Sequence, residues 1–273
     1  MNTLIIENIH ETFNFKLLKE VYHDILVPCF PDPEDHLSWK IMKKMVHRSF
    51  KNINGNEKVL ISVSKQRQED GSFKPVSFFV GVYYRRSRTG LISYMGMRDG
   101  CRGLSASNIQ KQVHIEMERI ASFYHHRLKG VFSLVDLPEK ANPRYITLPP
   151  VQRIMIMERN GARHVPIDFY YPAFKTNILS YLMAKPNYRN DAALLGYRLH
   201  GSLPTDNPEI IKDFIDDFYI SYGIDPKQNA MVKRMHAAVD TIAKGTDIKL
   251  SQHYRTREKE KISTCVSQVR AAS

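Results

Sequence analysis

Between Thr89 and Gly130 the chain runs from an apolar stretch, GLISYMGM, through a basic turn of small residues, RDGCRGLSAS, into a helical pattern, NIQKQVHIEMERIASFYHHRLKG. A strand that ends in such a turn and feeds a helix aims several backbone N–H groups at one point, and that point attracts an anion, phosphate above all. Leu91 to Met97 are bulky and free of proline, which predicts a short buried strand. Gly100 and Gly103 open backbone paths that other residues resist, and Ser105 and Ser107 can accept hydrogen bonds at a helix start near Ala106. From there Ile109, Val113, Met117, Ile120 and Tyr124 recur at helical spacing as one apolar stripe, with Gly130 as the stop. Arg98 and Arg102 flank the turn and reinforce its pull on negative charge. The competing reading is an ordinary strand-to-helix connection with solvated arginines.

The elements that must position this unit are legible on both sides of it. Asn14 to Leu26 is amphipathic and is stopped by Pro28, Pro31 and Pro33. A second helix follows, with Asp35 as cap and Leu37, Ile41, Met45 and Val46 as its stripe. VLISVSK and SFFVGVYYRR then read as strands separated by an exposed connection, QRQEDGSFKP, and the SRTG turn leads into GLISYMGM. Three consecutive antiparallel strands are therefore predicted before the phosphate turn. After the long helix, VFSLVDL reads as a strand, LPPVQRIMIMERNG as a helix closed by Gly161, and ARHVPIDFYYPAF as a final strand. The fold class this predicts is α+β with a mixed sheet.

Composition sets the surroundings. The chain has 273 residues, 42% of them hydrophobic, which is ample for a core. Lys plus Arg number 40 against 28 Asp plus Glu, an excess of 12 that favours polyanionic partners: nucleotide phosphates, nucleic acid or an acidic membrane surface. The three cysteines, Cys29, Cys101 and Cys265, are too few and too scattered for a disulfide framework or a zinc cluster, which suits a reducing cytosol. The N-terminus lacks the basic-then-apolar order of a secretion signal, and no apolar run approaches the ~18 residues of a membrane span, so a cytoplasmic protein is expected.

The order of elements and several of these residues resemble the GNAT-type N-acyltransferases, which move an acyl group from coenzyme A to an amine. The resemblance covers roughly Phe15 to Phe174 and looks closest to a bacterial subgroup. The family's turn has the pattern Arg/Gln-x-x-Gly-x-Gly/Ala, and the matching run here is Met97, Arg98, Asp99, Gly100, Cys101, Arg102, Gly103, Leu104, Ser105, Ala106 and Ser107. Ser105 and Ser107 stand where the family has glycines; a serine still offers its amide. Arg153, Gly161, Ala162, Arg163, Tyr171, Pro172 and Ala173 match the late helix and last strand in kind and spacing, and VYHDILVPCFPDPEDH is similar to the acceptor-side helices. The resemblance implies an acyl-coenzyme A co-substrate, acetyl-CoA or a longer acyl form, with no metal, held at Met97, Arg98, Arg102, Gly103, Leu104, Ser105, Ala106 and Ser107. It also implies a core over residues 1–175, followed by a C-terminal helical extension over 176–273.

Acyl transfer to an amine needs a general base for the amine and an acid for the departing thiolate. The family's tyrosine acid on the late helix falls on Met157, which cannot donate a proton, and its strand carboxylate falls near Ser93. Replacement candidates are Asp136, Tyr145 and Tyr94, with Glu139 beside Asp136; each has a plain structural alternative as a packing tyrosine or a turn acid.

Other residues carry less. His125 and His126 would point about 100° apart on a helix and cannot chelate one ion together. YYRRSR, Tyr83 to Arg88, mixes aromatics with arginines as RNA-binding surfaces do, although a solvated hairpin tip explains it as well. Beyond Phe174, NPEIIKDFIDDFYISYG and DPKQNAMVKRMHAAVDTIAKG predict two helices with Phe214, Phe218, Tyr219 and Tyr222 as the buried face, able to cover a cleft, dock a partner or form a homodimer. The tail from His253 reads as a weakly amphipathic last helix. Two readings stand: an acyl-coenzyme A-dependent N-acyltransferase, or a protein that keeps the fold without chemistry and binds coenzyme A, nucleic acid or protein.

Overall fold

Alternating apolar residues drive two long strands together. In β2 (Glu57–Arg67) Val59, Ile61 and Val63 face one side and Leu60 the other; β3 (Phe73–Tyr84) pairs with it antiparallel and sends Phe78, Val80 and Val82 to the first side and Phe79 and Tyr83 to the second. The computed structural model describes residues 4–33, 36–98, 100–101, 106–141, 144, 147–172 and 188–254, and everything below concerns these.

Around this pair a seven-stranded sheet is completed by β1 (Leu4–Asn8), β4 (Thr89–Met97), β5 (Gly130–Asp136), β6 (Ala162–His164) and β9 (Ala192–Tyr197), in the order β1-β2-β3-β4-β5-β9-β6. Only β4 and β5 run parallel, because α3 (Ala106–Phe123) returns the chain between them; every other pair is antiparallel. The predicted antiparallel trio and the mixed α+β sheet are thus both present. A separate two-stranded ribbon joins β7 (Tyr171–Pro172) to β8 (Tyr188–Arg189).

Each face of the sheet has its own core. One is covered by α1 (Phe15–Val21), α2 (Trp39–Lys51), α5 (Pro208–Ser221) and α6 (Ala230–Asp240), the other by α3 and α4 (Pro150–Arg159). The predicted stripe of α3 is buried at Ile109, Val113, Met117 and Ile120. Met117 lies against Gly81 and Gly90, where added Cβ atoms would run into its side chain, so two glycines on neighbouring strands seat the helix.

Several boundaries differ from the sequence reading. Asn14 caps α1 through a 3.1 Å bond from the Leu17 amide, but the chain continues past Val21 as a π turn, Tyr22–Leu26, and a last helical turn, Val27–Cys29. Ser38 caps α2; Asp35 lies outside the described residues. Half of the connection QRQEDGSFKP is strand, with β2 reaching Arg67 and β3 starting at Phe73, so the exposed turn shrinks to residues 68–72. Helix α3 stops at Phe123 rather than near Gly130. His125 takes the left-handed position (φ 55°), and the His125 and His126 amides bond back to Ser122 and Ala121, an ending usually built on glycine. The expected final strand from Ala162 to Phe174 is broken into β6 and β7, with its last residues outside the described set.

The largest correction concerns residue 175. Strand β9, Ala192–Tyr197, lies between β5 and β6 and is buried at all six positions, so the sheet is completed by residues that the division at 175 would assign to an extension. The two helices beyond it form as expected, but Phe214, Phe218 and Tyr219 pack on the protein's own sheet, Phe214 stacking on Phe132 at 4.2 Å. That face is therefore occupied within the chain. The tail beyond Tyr254 lies outside the described residues.

Candidate active site

The parallel pairing of β4 with β5 begins at Thr89↔Gly130 and ends at Ile92↔Ser133. Both strands continue, β4 to Met97 and β5 to Asp136, and β5 stays paired on its other side with β9 as far as Asp136↔Ala192. Pairing lost at the edge shared with β4 but kept at the other leaves an opening between Ser93–Met97 and Leu134–Asp136. Its cause lies one residue away. Against β3, Val80 pairs with Tyr94 while Gly81 pairs with Ile92, so Ser93 is an extra residue, a β-bulge. A bulge bends its strand and ends regular pairing. It also resets the alternation, so that Leu91 and Tyr94 share one core and Ile92 and Met95 the other.

Backbone N–H and C=O groups along the opening are then available to a ligand that can act as a strand. Beyond Met97 the chain turns through Gly100, at φ +74°, toward the N-terminus of α3 at Ala106, where helix amides have no intrahelical partner. Arg102, Gly103, Leu104, Ser105 and Asp99 lie outside the described residues, as do the side chains of Ala106 and Ser107.

The remaining sequence candidates scatter around this opening. Met97 is exposed at its mouth, and its carbonyl accepts from the Cys29 thiol at 3.5 Å. Arg98 is anchored, its amide bonded to the Val76 carbonyl and its guanidinium paired with Asp24 of the π turn at 2.8 Å. Tyr94 is buried edge-on against Phe30, 5.5 Å between ring centroids. Asp136 ends β5 half-buried and accepts from Arg153 of α4 at 2.8 Å. Glu139 is exposed, and Tyr145 lies outside the described residues. Met157, on α4, is partly buried against the core between the sheet and α3 and α4. The structure therefore brings Asp136 and the α4 helix to the end of the opening, and sets Tyr94 on the opposite core.

Sequence reasoning missed the group beside Asp136. Asp191, just before β9, accepts from the Tyr171 hydroxyl and from Arg189 Nε and Nη2 at 2.7 and 2.6 Å, and its carbonyl takes the Leu137 amide. Burial foremost, then the bond to Asp191 and the nearby carboxylate charges, holds the Tyr171 proton far above the usual tyrosine range. Two carboxylates and two guanidiniums thus balance in one polar cluster at the end of β5. Tyr171 was noted only for its place before Pro172; Asp191 becomes visible only when β9 is seen to pair with β5. Among the described residues no group of three His, Cys, Asp or Glu side chains is disposed to hold a metal ion, and no helix is long and apolar enough to cross a membrane.

No family model and no curated protein matches the chain. Among solved structures it is similar to a protein from Bacteroides thetaiotaomicron assigned to the GNAT acetyltransferase family, at 15% identity and TM-score 0.45 over 82% of this chain and 99% of that one. A spermidine N-acetyltransferase from Vibrio cholerae aligns at 8% identity and TM-score 0.41, over 72% of this chain and 93% of that one. A Thermoplasma acidophilum N-acetyltransferase solved in complex with coenzyme A aligns at 10% identity and TM-score 0.39, over 72% and 99% of the two chains. On its own sheet order, strand directions and β4–β5 opening, the protein has an α+β fold built on a mixed seven-stranded sheet.

Proposed function

We propose that the protein transfers an acyl group from an acyl-coenzyme A, acetyl-CoA in the simplest case, to the amine of an acceptor. The observation that carries this reading is the opening of the sheet beyond Ile92 and Ser133, created by the bulge at Ser93 and leading to the start of α3. Coenzyme A has a matching shape: an arm with two amide groups that can bond to strand edges, ending in a pyrophosphate that suits free helix amides. In this reading the amides of Arg102, Gly103, Leu104, Ser105, Ala106 and Ser107 take the pyrophosphate, and the β4 edge at Ser93–Met97 takes the arm. A β4 amide facing the thioester carbonyl would stabilise the charge that develops on its oxygen.

The chemistry then needs one proton accepted and one donated. The neutral amine nitrogen attacks the thioester carbon, the C–S bond breaks, the amine proton leaves to a base and the thiolate gains a proton. Asp136, held by Arg153 at the end of β5, is the base in this proposal, directly or through a water; Tyr145 and Tyr94 are the acid candidates. A second reading, a binding protein that keeps the fold without turnover, draws on Met157 in the place where the resemblance expects a proton donor and on Arg98 tied to Asp24.

Calorimetric titration with acetyl-CoA, longer acyl-coenzymes and free coenzyme A, beside thiol release with a panel of amines, separates the readings. Saturable binding with amine-dependent thiol release supports the enzyme. Binding without release under every amine supports the second reading, and no binding at millimolar coenzyme A overturns the enzyme and leaves the second reading only as a nucleic-acid- or protein-binding module.

A further inference from the structure

At the other end of β4, away from the opening, the turn from β3 into β4 forms one wall of an open recess of about 550 Å³ whose polar lining includes Asn56, Arg85, Arg86, Arg88, His126 and the carboxylate Asp217. Charge there is not balanced. Buried Asp217 of α5 is committed to the turn: it accepts from Asn56 Nδ2 at 2.9 Å, from the Ser87 amide at 2.8 Å and from Arg86 Nε at 2.8 Å. Asp213, also on α5, faces Arg86 and Lys129. Among the described residues no carboxylate pairs with Arg85 or Arg88. Arg85 lies over the Tyr124 ring at 4.2 Å and gives Nη1 to the Ile53 and Gly55 carbonyls, while its buried Nε has no partner.

The backbone is held to present these groups. Asn56 fixes the turn from both ends of its amide, its Oδ1 accepting from the Arg86 amide at 2.7 Å while its Nδ2 reaches Asp217. Arg88 sits at φ 59° and His125, next to His126, at φ 55°, left-handed positions where glycine is cheaper, yet basic side chains are kept at both. His126 bonds the Tyr83 hydroxyl at 3.0 Å, and its proton affinity is lowered by desolvation and then by the charges of Arg88, Arg85 and His125. A turn fixed by Asn56 and Asp217 that carries the Arg85 and Arg88 guanidiniums without a carboxylate partner, beside His126, has the chemistry that takes a phosphate group.

We propose that this recess, built by the β3–β4 turn and the end of α3, is a phosphate-binding site separate from the opening between β4 and β5. The recess recognises the phosphate group itself, carried by a small phosphorylated ligand or by a nucleic-acid backbone, and the two differ in the test. The inference does not depend on the acyltransferase reading.

The test follows His126 in the full chain labelled with ¹³C-histidine, its signal assigned with His126→Gln. Inorganic pyrophosphate and a single-stranded oligonucleotide are titrated separately, each against chloride at equal ionic strength. An anion in the recess stabilises the imidazolium, so the His126 pKa is expected to rise by about one unit on saturation with pyrophosphate. Arg88→Gly relieves the left-handed backbone, so its Tm should not fall, yet pyrophosphate affinity at His126 should drop at least about tenfold. Movement of His126 by oligonucleotide at far lower concentration, with steep salt dependence, assigns the phosphate to a nucleic acid; movement by pyrophosphate alone assigns it to a small ligand. If His126 titrates unchanged under both probes, or Arg88→Gly binds like the wild type, the site does not exist. Pyrophosphate that moves other histidines but leaves His126 still is bound elsewhere, and overturns it equally.

Discussion

Replacing Gly90 by alanine tests how α3 is seated, and with it the geometry of the opening. A Cβ at Gly90 would overlap Met117 Sδ and stand 3.1 Å from its Cε, while one at Gly81 would meet the same Cε at 2.8 Å. Met117 is fully buried, so it cannot swing into solvent, and sulfur lies mid-chain where a change of the last torsion does not move it. Either Met117 leaves its rotamer or α3 lifts from β4. Overpacking of this kind costs about 1–3 kcal/mol, and the direct overlap argues for the upper half of that range. Met117→Ala alone should cost about 2–5 kcal/mol through the cavity it leaves. In the double variant the new methyl enters that cavity, so the two effects should fall short of their sum by about 1–2 kcal/mol. Urea unfolding followed by the single tryptophan, Trp39, reads all three variants. A Gly90→Ala variant within about 0.5 kcal/mol of the wild type, or strict additivity in the double variant, would refute the seating.

Other perturbations give distinct outcomes. Burial pushes His114 down to about 4, and burial with the charge of His253 does the same to His164, from an ordinary 6.5. A lowered folded pKa means stability that is complete above pH 6.5 and is lost as pH falls toward 4, up to about 3 kcal/mol at each histidine; His114→Phe should flatten that acid limb in a series of Tm measurements, and an unchanged slope would contradict it. Burial raises Tyr83 and Tyr197 to about 12, so stability should fall again as pH rises from 10 to 12, visible as an alkaline transition coupled to tyrosinate absorbance. Asp217→Asn leaves one of three donors without an acceptor and should cost about 2 kcal/mol in denaturant unfolding, while Asp217→Ala costs more. Under the proposed function, Asp136→Asn should lower kcat by about 10²-fold or more with the KM for acetyl-CoA little changed; an unaltered kcat would remove Asp136 from proton transfer.

Much of this was readable along the chain because it depends on local periodicity. The stripe from Ile109 to Ile120, the alternation in β2 and β3, and the helical patterns of α5 and α6 each report on their own neighbours, and all form, although the Asn207 side chain does not cap α5 and α6 begins only at Ala230. The start of α3 at Ala106 was legible from small residues in the same way. What the chain could not reveal depends on residues far apart. β9, AALLGY, is six buried residues without alternation, and only its pairing with β5 and β6 makes it the strand that completes the sheet across residue 175. The Ser93 bulge exists only relative to Val80 and Gly81 on β3. Asp191 meets Tyr171 and stands by Asp136 because β9 returns beside β5, and Asp217 shapes the Arg85–Arg88 turn from 130 residues away, through the Ser87 amide. Sequence determined the central strands, the main helices and where phosphate chemistry was plausible; tertiary pairing decided which further segments join the sheet, where it opens and which charges are balanced, because register and ion pairing are set by the partner and not by the residue.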